Sequence, residues 1–354
     1  MTTVPPPPDA APSQPGPDPA VPPAPGSDTA ADTMADSSAE SSRERLGSLS
    51  GEIHKAVVGQ DAAVTSLVVA LLCRGHVLLE GVPGVAKTLL VRALSASLDA
   101  EMRRVQFTPD MMPGDVTGSL VYDNATSDLT FREGPVFTNL LLADEINRTP
   151  PKTQSALLEA MEERQVTIDG RPRPLPDPFL VIATQNPIEF DGTYPLPEAQ
   201  LDRFLLKAVM PLPEREVEVD VLRRHAAGFD TGDLAGAGLR TVATPEDLRR
   251  AQAEVVAVKA EDAVLQYVVD VCRATRRSPS LSLGVSPRGA IALLRTARAW
   301  AYLTGRDFIT PDDVKTMAPA TLSHRVRLTT EAELEGSHVD AVLAATLASV
   351  PVPR

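Results

Sequence analysis

Apolar residues along this chain fall into two kinds of pattern. Short uninterrupted apolar runs predict strands buried on both faces, and between them lie segments whose apolar positions recur every three or four residues, as in helices. The predicted elements are a helical region at 46–73, strands at 76–80, 104–107, 140–142, 179–183 and 205–209, and helices at 87–98 and 153–163. Strands that alternate with helices predict a parallel sheet covered by helices on both faces.

The pattern changes after Pro211 and Pro213. Charged residues at 214–216 follow these prolines, and the rest of the chain has helical spacing without strand signals. We therefore predict an α/β core at residues 46–213 and a smaller all-α lid domain at residues 214–354.

The first 45 residues show no pattern that could form a packed core. Eleven of the 33 prolines precede Gly26, and the first aromatic residue of the chain is Phe107. Many prolines and few large apolar side chains are typical of disordered segments. We predict that residues 1–45 form a disordered tail rich in Pro, Ala, Ser and Asp.

Charge narrows the possible functions. The 354 residues carry a formal net charge of −13, shared between tail and body, which argues against a large phosphate-neutralising surface and makes a nucleic-acid partner an unfavoured prediction. The sequence predicts no membrane span and no secretion signal, hence a cytoplasmic protein.

Cys73 and Cys272 lie in apolar helical stretches without His or Cys at ligand spacing, so we expect small buried side chains.

The strongest motif is the run Gly-Val-Pro-Gly-Val-Ala-Lys-Thr at residues 81–88, which directly follows the first strand and opens a helix. This context predicts a phosphate-binding loop. Backbone N–H groups at the helix N-terminus bind phosphate oxygens, Lys87 reaches the terminal phosphates, and the Thr88 hydroxyl ligates Mg²⁺. Ala86 stands where the general pattern has its second glycine, so this position must tolerate a Cβ atom.

An acidic pair forms the second motif. The apolar run at 140–143 ends in Asp144 and Glu145, at the carboxyl edge of the predicted sheet, where ligands of such folds bind. Side chains alternate along a strand, so the two carboxylates face different ways. We expect Asp144 to hold Mg²⁺ through water and Glu145 to polarise the attacking water.

Two further runs complete a pattern that resembles a known family. Residues 181–187 read Val-Ile-Ala-Thr-Gln-Asn-Pro, and residues 198–204 read Glu-Ala-Gln-Leu-Asp-Arg-Phe. Together with the phosphate loop and with Asp-Glu-Ile-Asn-Arg at 144–148, they resemble the MoxR family of AAA+ ATPases. The resemblance covers the chain from about Val58 to its end. It implies a P-loop NTPase core with a parallel sheet and a helix-2 insert, followed by the helical lid, with ATP and Mg²⁺ as cofactors.

The resemblance also implies roles for single residues. Asn186 matches the sensor-1 asparagine, which positions the attacking water, and Arg203 matches the arginine finger, which enters the site of a neighbouring subunit. Arg288 matches the sensor-2 arginine, whose reach to the phosphates closes the lid on the core. The implied catalytic residues are Glu145, Asn186, Arg203 and Arg288, and the implied nucleotide-binding residues are Val58, Gly59, Gly81, Val82, Pro83, Gly84, Val85, Ala86, Lys87, Thr88, Leu89 and Asp144. The alternative for Arg203 is a surface salt bridge beside Asp202.

Two segments predict hairpins outside a bare nucleotide-binding core. One lies between Pro113 and Pro135, and the other surrounds Asp169-Gly170, a pair that suits a two-residue turn. Both resemble the insertions of the helix-2-insert branch, whose loops line the central pore of a ring. The alternative is a pair of solvent-exposed hairpins without a substrate role.

The resemblance implies a homo-oligomer, a hexameric ring, that uses ATP hydrolysis to remodel protein clients and to mature complexes, often with a partner that contains a von Willebrand factor A domain. A metal-chelatase motor subunit, which shares the inserts, remains an alternative. A DNA-acting AAA+ motor is a further alternative, which the acidic charge disfavours.

Overall fold

The structure, a computed structural model, describes residues 1–3, 28–124, 127–187 and 192–353. Side chains of the first helix are described from Ser42 onwards. Most of the predicted tail, residues 4–27, lies outside the described residues.

The α/β core is built on one parallel sheet. Its elements in chain order are α1 (Asp28–Ala56), α2 (Asp61–Leu72), β1 (Val77–Gly81), α3 (Lys87–Leu98), β2 (Met102–Gln106), α4 (Pro113–Thr117), β3 (Gly118–Asp123), β4 (Asp128–Glu133), β5 (Leu140–Asp144), α5 (Pro151–Glu163), β6 (Gln165–Ile168), β7 (Arg171–Pro174), β8 (Leu180–Gln185), α6 (Glu198–Leu201) and β9 (Leu206–Met210). The five-stranded sheet has the order β2-β5-β8-β1-β9, and all neighbouring strands are parallel. The predicted parallel-sheet core is confirmed.

The buried strands explain why the motifs meet at one edge. Every residue of β5 is buried, and so are all but the last of β8, because helices cover both faces of the sheet. β1, β5 and β8 run in the same direction, so the residues that follow them lie together at the carboxyl edge.

Both predicted hairpins are present as antiparallel pairs. β3 pairs with β4, and β6 pairs with β7 through Asp169 and Gly170, which both have positive φ angles. The guanidinium of Arg173 on β7 lies 4.1 Å from the ring centre of Phe131 on β4. The two hairpins therefore contact each other.

The C-terminal part is helical, with one short exception. Its elements are α7 (Arg215–Ala226), α8 (Pro245–Ala257), α9 (Asp262–Arg277), β10 (Leu281–Leu283), α10 (Pro287–Leu303), α11 (Pro311–Leu322), β11 (Arg327–Leu328), α12 (Thr330–Leu334) and α13 (Val339–Ser349). β10 and β11 form a two-stranded sheet that the sequence pattern did not predict, since strands of two or three residues are too short to show periodicity.

The first helix begins at Asp28, before Arg45, the last residue of the predicted tail. Leu46, Leu49 and Ile53 recur at helical spacing and are fully buried. Arg45 binds Asp247 of α8 at 3.0 Å, and the Arg43 guanidinium lies 4.5 Å from the ring centre of Tyr302. The sequence could not reveal these partners, because they lie more than 200 residues away along the chain.

Both cysteines are buried and free, as predicted. Burial raises the pKa of the Cys73 thiol to about 12 and that of Cys272 to about 11, which makes them inert at neutral pH. Among the helices of the described residues, none combines the length and the apolar character that crossing a bilayer requires.

His76 makes stability depend on pH. Its ring lies buried before β1, where Nδ1 accepts from the Val181 N–H at 2.9 Å and Nε2 donates to the Met161 carbonyl at 3.1 Å. Burial lowers the pKa of His76 from 6.5 to about 4. His76 therefore binds a proton in the unfolded chain near pH 6.5 but stays neutral in the folded chain until the pH is about 4. The free energy of unfolding that is present above pH 6.5 is lost as the pH falls between these two values.

We expect His76→Gln to weaken this dependence, because glutamine can accept and donate similar hydrogen bonds but does not titrate. Between pH 6.5 and pH 4 the free energy of unfolding of the wild type should fall by about 3 kcal/mol more than that of the variant. Urea denaturation at a series of pH values measures both. Parallel curves would show that His76 is not the titrating group.

Candidate nucleotide site

The loop between β1 and α3 has a backbone suited to phosphate binding. Gly84 has φ +89°, and Ala86, directly before the helix, has φ +66° and ψ +23°. This left-handed conformation costs a residue with a Cβ about 1–2 kcal/mol. The predicted tolerance for a Cβ at position 86 therefore comes with backbone strain at the start of α3.

Lys87 opens α3 and turns back over this loop. Its ammonium group donates to the Gly81 carbonyl at 2.7 Å. Thr88 and Leu89 follow in the first turn of the helix, whose N-terminus carries a partial positive charge. The loop thus presents an ammonium, a hydroxyl and a helix N-terminus to one cavity.

The acidic pair lies at the end of β5, opposite this loop. Asp144 is buried; its Oδ1 accepts from the Thr184 hydroxyl at 2.6 Å, and its Oδ2 accepts from Arg104 at 2.6 Å. Glu145 has left the strand with φ +57°, again a strained left-handed backbone. The alternation expected of a strand therefore does not extend to Glu145, and both carboxylates line the same cavity.

A polar network that the sequence analysis missed holds the acidic pair. Gln106 donates to Glu145 Oε2 at 2.7 Å, and the Thr184 hydroxyl accepts from the Glu145 backbone N–H at 2.9 Å. Arg104 and Gln106 are two residues apart on β2, the strand beside β5, and this spacing, which places both side chains on one face of the sheet, was the available signal. Arg148 pairs with Glu145 at 3.0 Å, within its own chain.

The loop, the acidic pair and Asn186 line one cavity of about 930 Å³, which is large enough for a nucleotide. Asn186 directly follows β8 and is 4% exposed. Predicted residues that line the cavity are Val58, Pro83, Gly84, Val85, Ala86, Lys87, Thr88, Leu89, Asp144, Glu145 and Asn186, whereas Gly59, Gly81 and Val82 are not among the lining residues. Eleven of the predicted residues are thus brought together.

Helix α7 lines another part of the cavity with both apolar and charged side chains. Val221 and Leu222 lie there with Glu218, Arg224 and His225, and Val58 and Leu212 are further apolar lining residues. Gly59 has φ +72°, and a Cβ built there would lie 2.9 Å from Val217 Cγ1 on the same helix. Glycine at position 59 therefore allows the positive φ angle of the turn and leaves room for α7 to pack closely. The apolar lining residues suit a base, and the ammonium of Lys87 suits the phosphates.

Arg203 and Arg288 lie outside this cavity and share a carboxylate elsewhere. Arg203 pairs with Glu162 of α5 at 3.1 Å, and Arg288 at the start of α10 pairs with the same Glu162 at 3.2 Å. The partner of Arg203 is thus Glu162 rather than Asp202. The expected position of Arg288, over the phosphates of its own chain, is not the one the structure shows, and its catalytic role stays a prediction.

The order of the sheet, the phosphate loop, the acidic pair and Asn186, with a helical domain after them, define a P-loop NTPase of the AAA+ class. Comparison with known proteins agrees. Residues 76–206 match the ATPase family associated with various cellular activities (AAA), and residues 273–346 match the AAA lid domain. The crystal structure of a protein from Cytophaga hutchinsonii superimposes with a TM-score of 0.83 at 37% identity, covering 92% of this chain and 99% of that one.

Curated relatives place the chain more narrowly. It is 41% identical to Chaperone MoxR1 of Mycobacterium tuberculosis, over 86% of this chain and 81% of that protein. It is 50% identical to the uncharacterized protein YeaC of Bacillus subtilis, over 87% of this chain and 95% of YeaC. The chain belongs to the MoxR family of AAA+ ATPases, a family whose AAA+ core implies nucleotide binding.

Proposed function

We propose that this protein hydrolyses ATP in the cavity between the phosphate loop and the acidic pair, and that it works as a hexameric ring that remodels protein complexes. The observation that carries the proposal is the meeting of Lys87, Thr88, Asp144, Glu145 and Asn186 on one cavity of nucleotide size. The sequence favours the cytoplasm as the place of this activity.

The residues of the cavity divide the work of hydrolysis. Lys87 binds the terminal phosphates, and Glu145 accepts the proton of the attacking water while Asn186 positions that water. The hydroxyl of Thr88 and the carboxylate of Asp144 are hard oxygen donors that fit Mg²⁺, and Asp144, already bonded to Thr184 and Arg104, fits binding through water. Bound there, Mg²⁺ would neutralise charge on the phosphates.

The positions of Arg203 and Arg288 support a site shared between subunits. Neither lines the cavity of its own chain, and both share Glu162 on one face. Hydrolysis builds up charge on the transferred phosphoryl group, which a fixed guanidinium stabilises. We infer that a neighbouring subunit supplies Arg203, with Arg288 beside it, and that the cavity is incomplete without a ring.

The hairpin of β3 and β4 supports a protein client. Tyr122 and Leu129 are 57% and 58% exposed. Asp123 and Asp128 occupy opposite positions of the two strands, at the end of the ladder nearest the turn. An apolar and acidic hairpin suits a polypeptide better than a phosphate backbone. The similarity to Chaperone MoxR1 favours the chaperone over the chelatase alternative. A partner with a von Willebrand factor A domain belongs to the same proposal.

Ring formation is tested by light scattering at micromolar concentration with and without ATP. We expect a hexamer in ATP, because the phosphates would bridge Lys87 of one subunit and Arg203 of the next. A wild-type monomer in saturating ATP would count against the shared site.

A further inference from the structure

We propose that Arg325 of the lid is a positioning residue that fixes the Arg203 loop for use by the neighbouring subunit. The inference rests on the role proposed above for Arg203. Arg325 does not line the nucleotide cavity. We infer that it acts through the residues on both sides of Arg203, the proposed arginine finger.

Arg325 is a buried arginine whose fork reaches from the lid into the core. It ends the short 3₁₀ turn Ser323–Arg325 after α11, and its side chain is 3% exposed. Nε donates to Asp202 Oδ1 at 2.7 Å, Nη2 donates to the Phe204 carbonyl at 2.7 Å, and Nη1 donates to the Leu205 carbonyl at 3.0 Å. One side chain thus holds the residue before Arg203 and the two residues after it.

The side chain of Arg203 takes no part in the bonds to Arg325. Phe204 is fully buried, which anchors the loop, whereas the Arg203 side chain is 30% exposed and pairs with Glu162. A planar guanidinium with several donors can fix three acceptors at once, which an ammonium cannot do. The geometry is that of a clamp around an outward-facing arginine.

Burying the charge of Arg325 costs free energy, which an apolar side chain that only filled the same space would not cost. Burial lowers the pKa of Arg325, and the carboxylate of Asp202 opposes that effect. A buried charge that is held by one carboxylate and several carbonyls contributes little net stability compared with an apolar side chain. Its hydrogen bonds, however, fix the orientation of the groups that they join. Such a group is better explained by the need to fix the loop.

Arg325 also contacts the helix that carries Arg288. A Cβ built on Gly289, the next residue, would lie 3.0 Å from Arg325 Cδ, so glycine at this position leaves room for the arginine stem. The Arg325 stem therefore packs against the first turn of α10, next to Arg288 in the sequence. A displacement of the lid would move both arginines offered to the neighbour.

The test is Arg325→Lys in the full-length chain, measured by phosphate release and by binding of a fluorescent ATP analogue. We expect kcat to fall on the order of 10²-fold, as a misplacement of about 1 Å can cause, while the KM and analogue affinity stay at wild-type values because the cavity itself is intact. Mixing with Lys87→Ala subunits should restore turnover, since each type of subunit then supplies what the other lacks.

The matched control is Arg327→Lys, two residues away. Arg327 also joins the lid to the core, through Glu198 at 3.0 Å, but its side chain is 66% exposed and grips no part of the finger loop. It should keep wild-type turnover. If Arg325→Lys fails to fold, Asp202→Asn in the same assays decides, with an expected loss of about tenfold and the same recovery on mixing.

Two outcomes overturn the inference. One is wild-type kcat in Arg325→Lys. The other is a loss that Lys87→Ala subunits do not restore, although Arg203→Ala is restored by the same mixing, which would make Arg325 a structural residue of its own subunit and leave the shared site standing. Failure of both mixtures, in rings shown to be mixed, would overturn the shared site as well.

Discussion

Glu145→Gln should reduce ATP turnover by a factor on the order of 10²–10⁴ while ATP remains bound, since that is what a general base contributes. The amide keeps the size of the carboxylate and can still bond to Gln106, so the cavity should keep its shape. It cannot take a proton from water. Steady-state phosphate release measures the first effect, and equilibrium binding of a fluorescent ATP analogue measures the second.

The control for Glu145 is Glu101→Gln. Glu101 is an exposed carboxylate directly before β2, paired with Arg103 at 2.9 Å and away from the lining of the cavity. It should keep wild-type turnover, which separates the loss of a base from the loss of one negative charge. Near-wild-type hydrolysis in Glu145→Gln would remove Glu145 from the mechanism.

Arg203→Ala should lower kcat by a factor on the order of 10³–10⁵, the range that an arginine finger contributes. Because Arg203 does not line the cavity of its own chain, binding of the ATP analogue should stay unchanged. The variant leaves Glu162 paired with Arg288, so the local charge remains partly balanced. Turnover and binding are measured as above.

Arg203→Lys sharpens this prediction. Lysine keeps the charge but lacks the planar fork, so we expect only a small part of the lost rate to return. Light scattering in ATP shows whether either variant still assembles. An assembled Arg203→Ala ring with near-wild-type turnover would leave Arg203 as no more than a surface salt bridge.

The sequence predicted the parts of the site that depend on local context. The phosphate loop, the acidic pair and Asn186 each follow a buried strand, and parallel strands bring their ends to one edge, so their meeting could be foreseen. The two hairpins were also predictable, because Asp169-Gly170 and the polar run between Tyr122 and Leu129 are local turn signals.

Features that depend on distant partners could not be foreseen. Arg288 pairs with Glu162 of α5, and Arg325 meets the finger loop, each across more than 100 residues of chain. Arg104 lies in no motif, and Thr184 lies in the motif that contains Asn186 but had no role assigned to it, because both roles arise from contacts between adjacent strands of the sheet. The contacts of α1 with α8 and α10, made by Arg45 and Arg43, likewise follow from no local pattern.

Phosphate release from mixtures of Arg203→Ala and Lys87→Ala subunits tests the shared site most directly. Each variant alone should be inactive, one for want of the finger and the other for want of phosphate binding. In a mixed ring, an intact Lys87 on one subunit can meet an intact Arg203 on the next, so turnover should pass through a maximum as the ratio is varied. Flat, inactive mixtures in rings that demonstrably contain both subunits would contradict hydrolysis between neighbouring subunits.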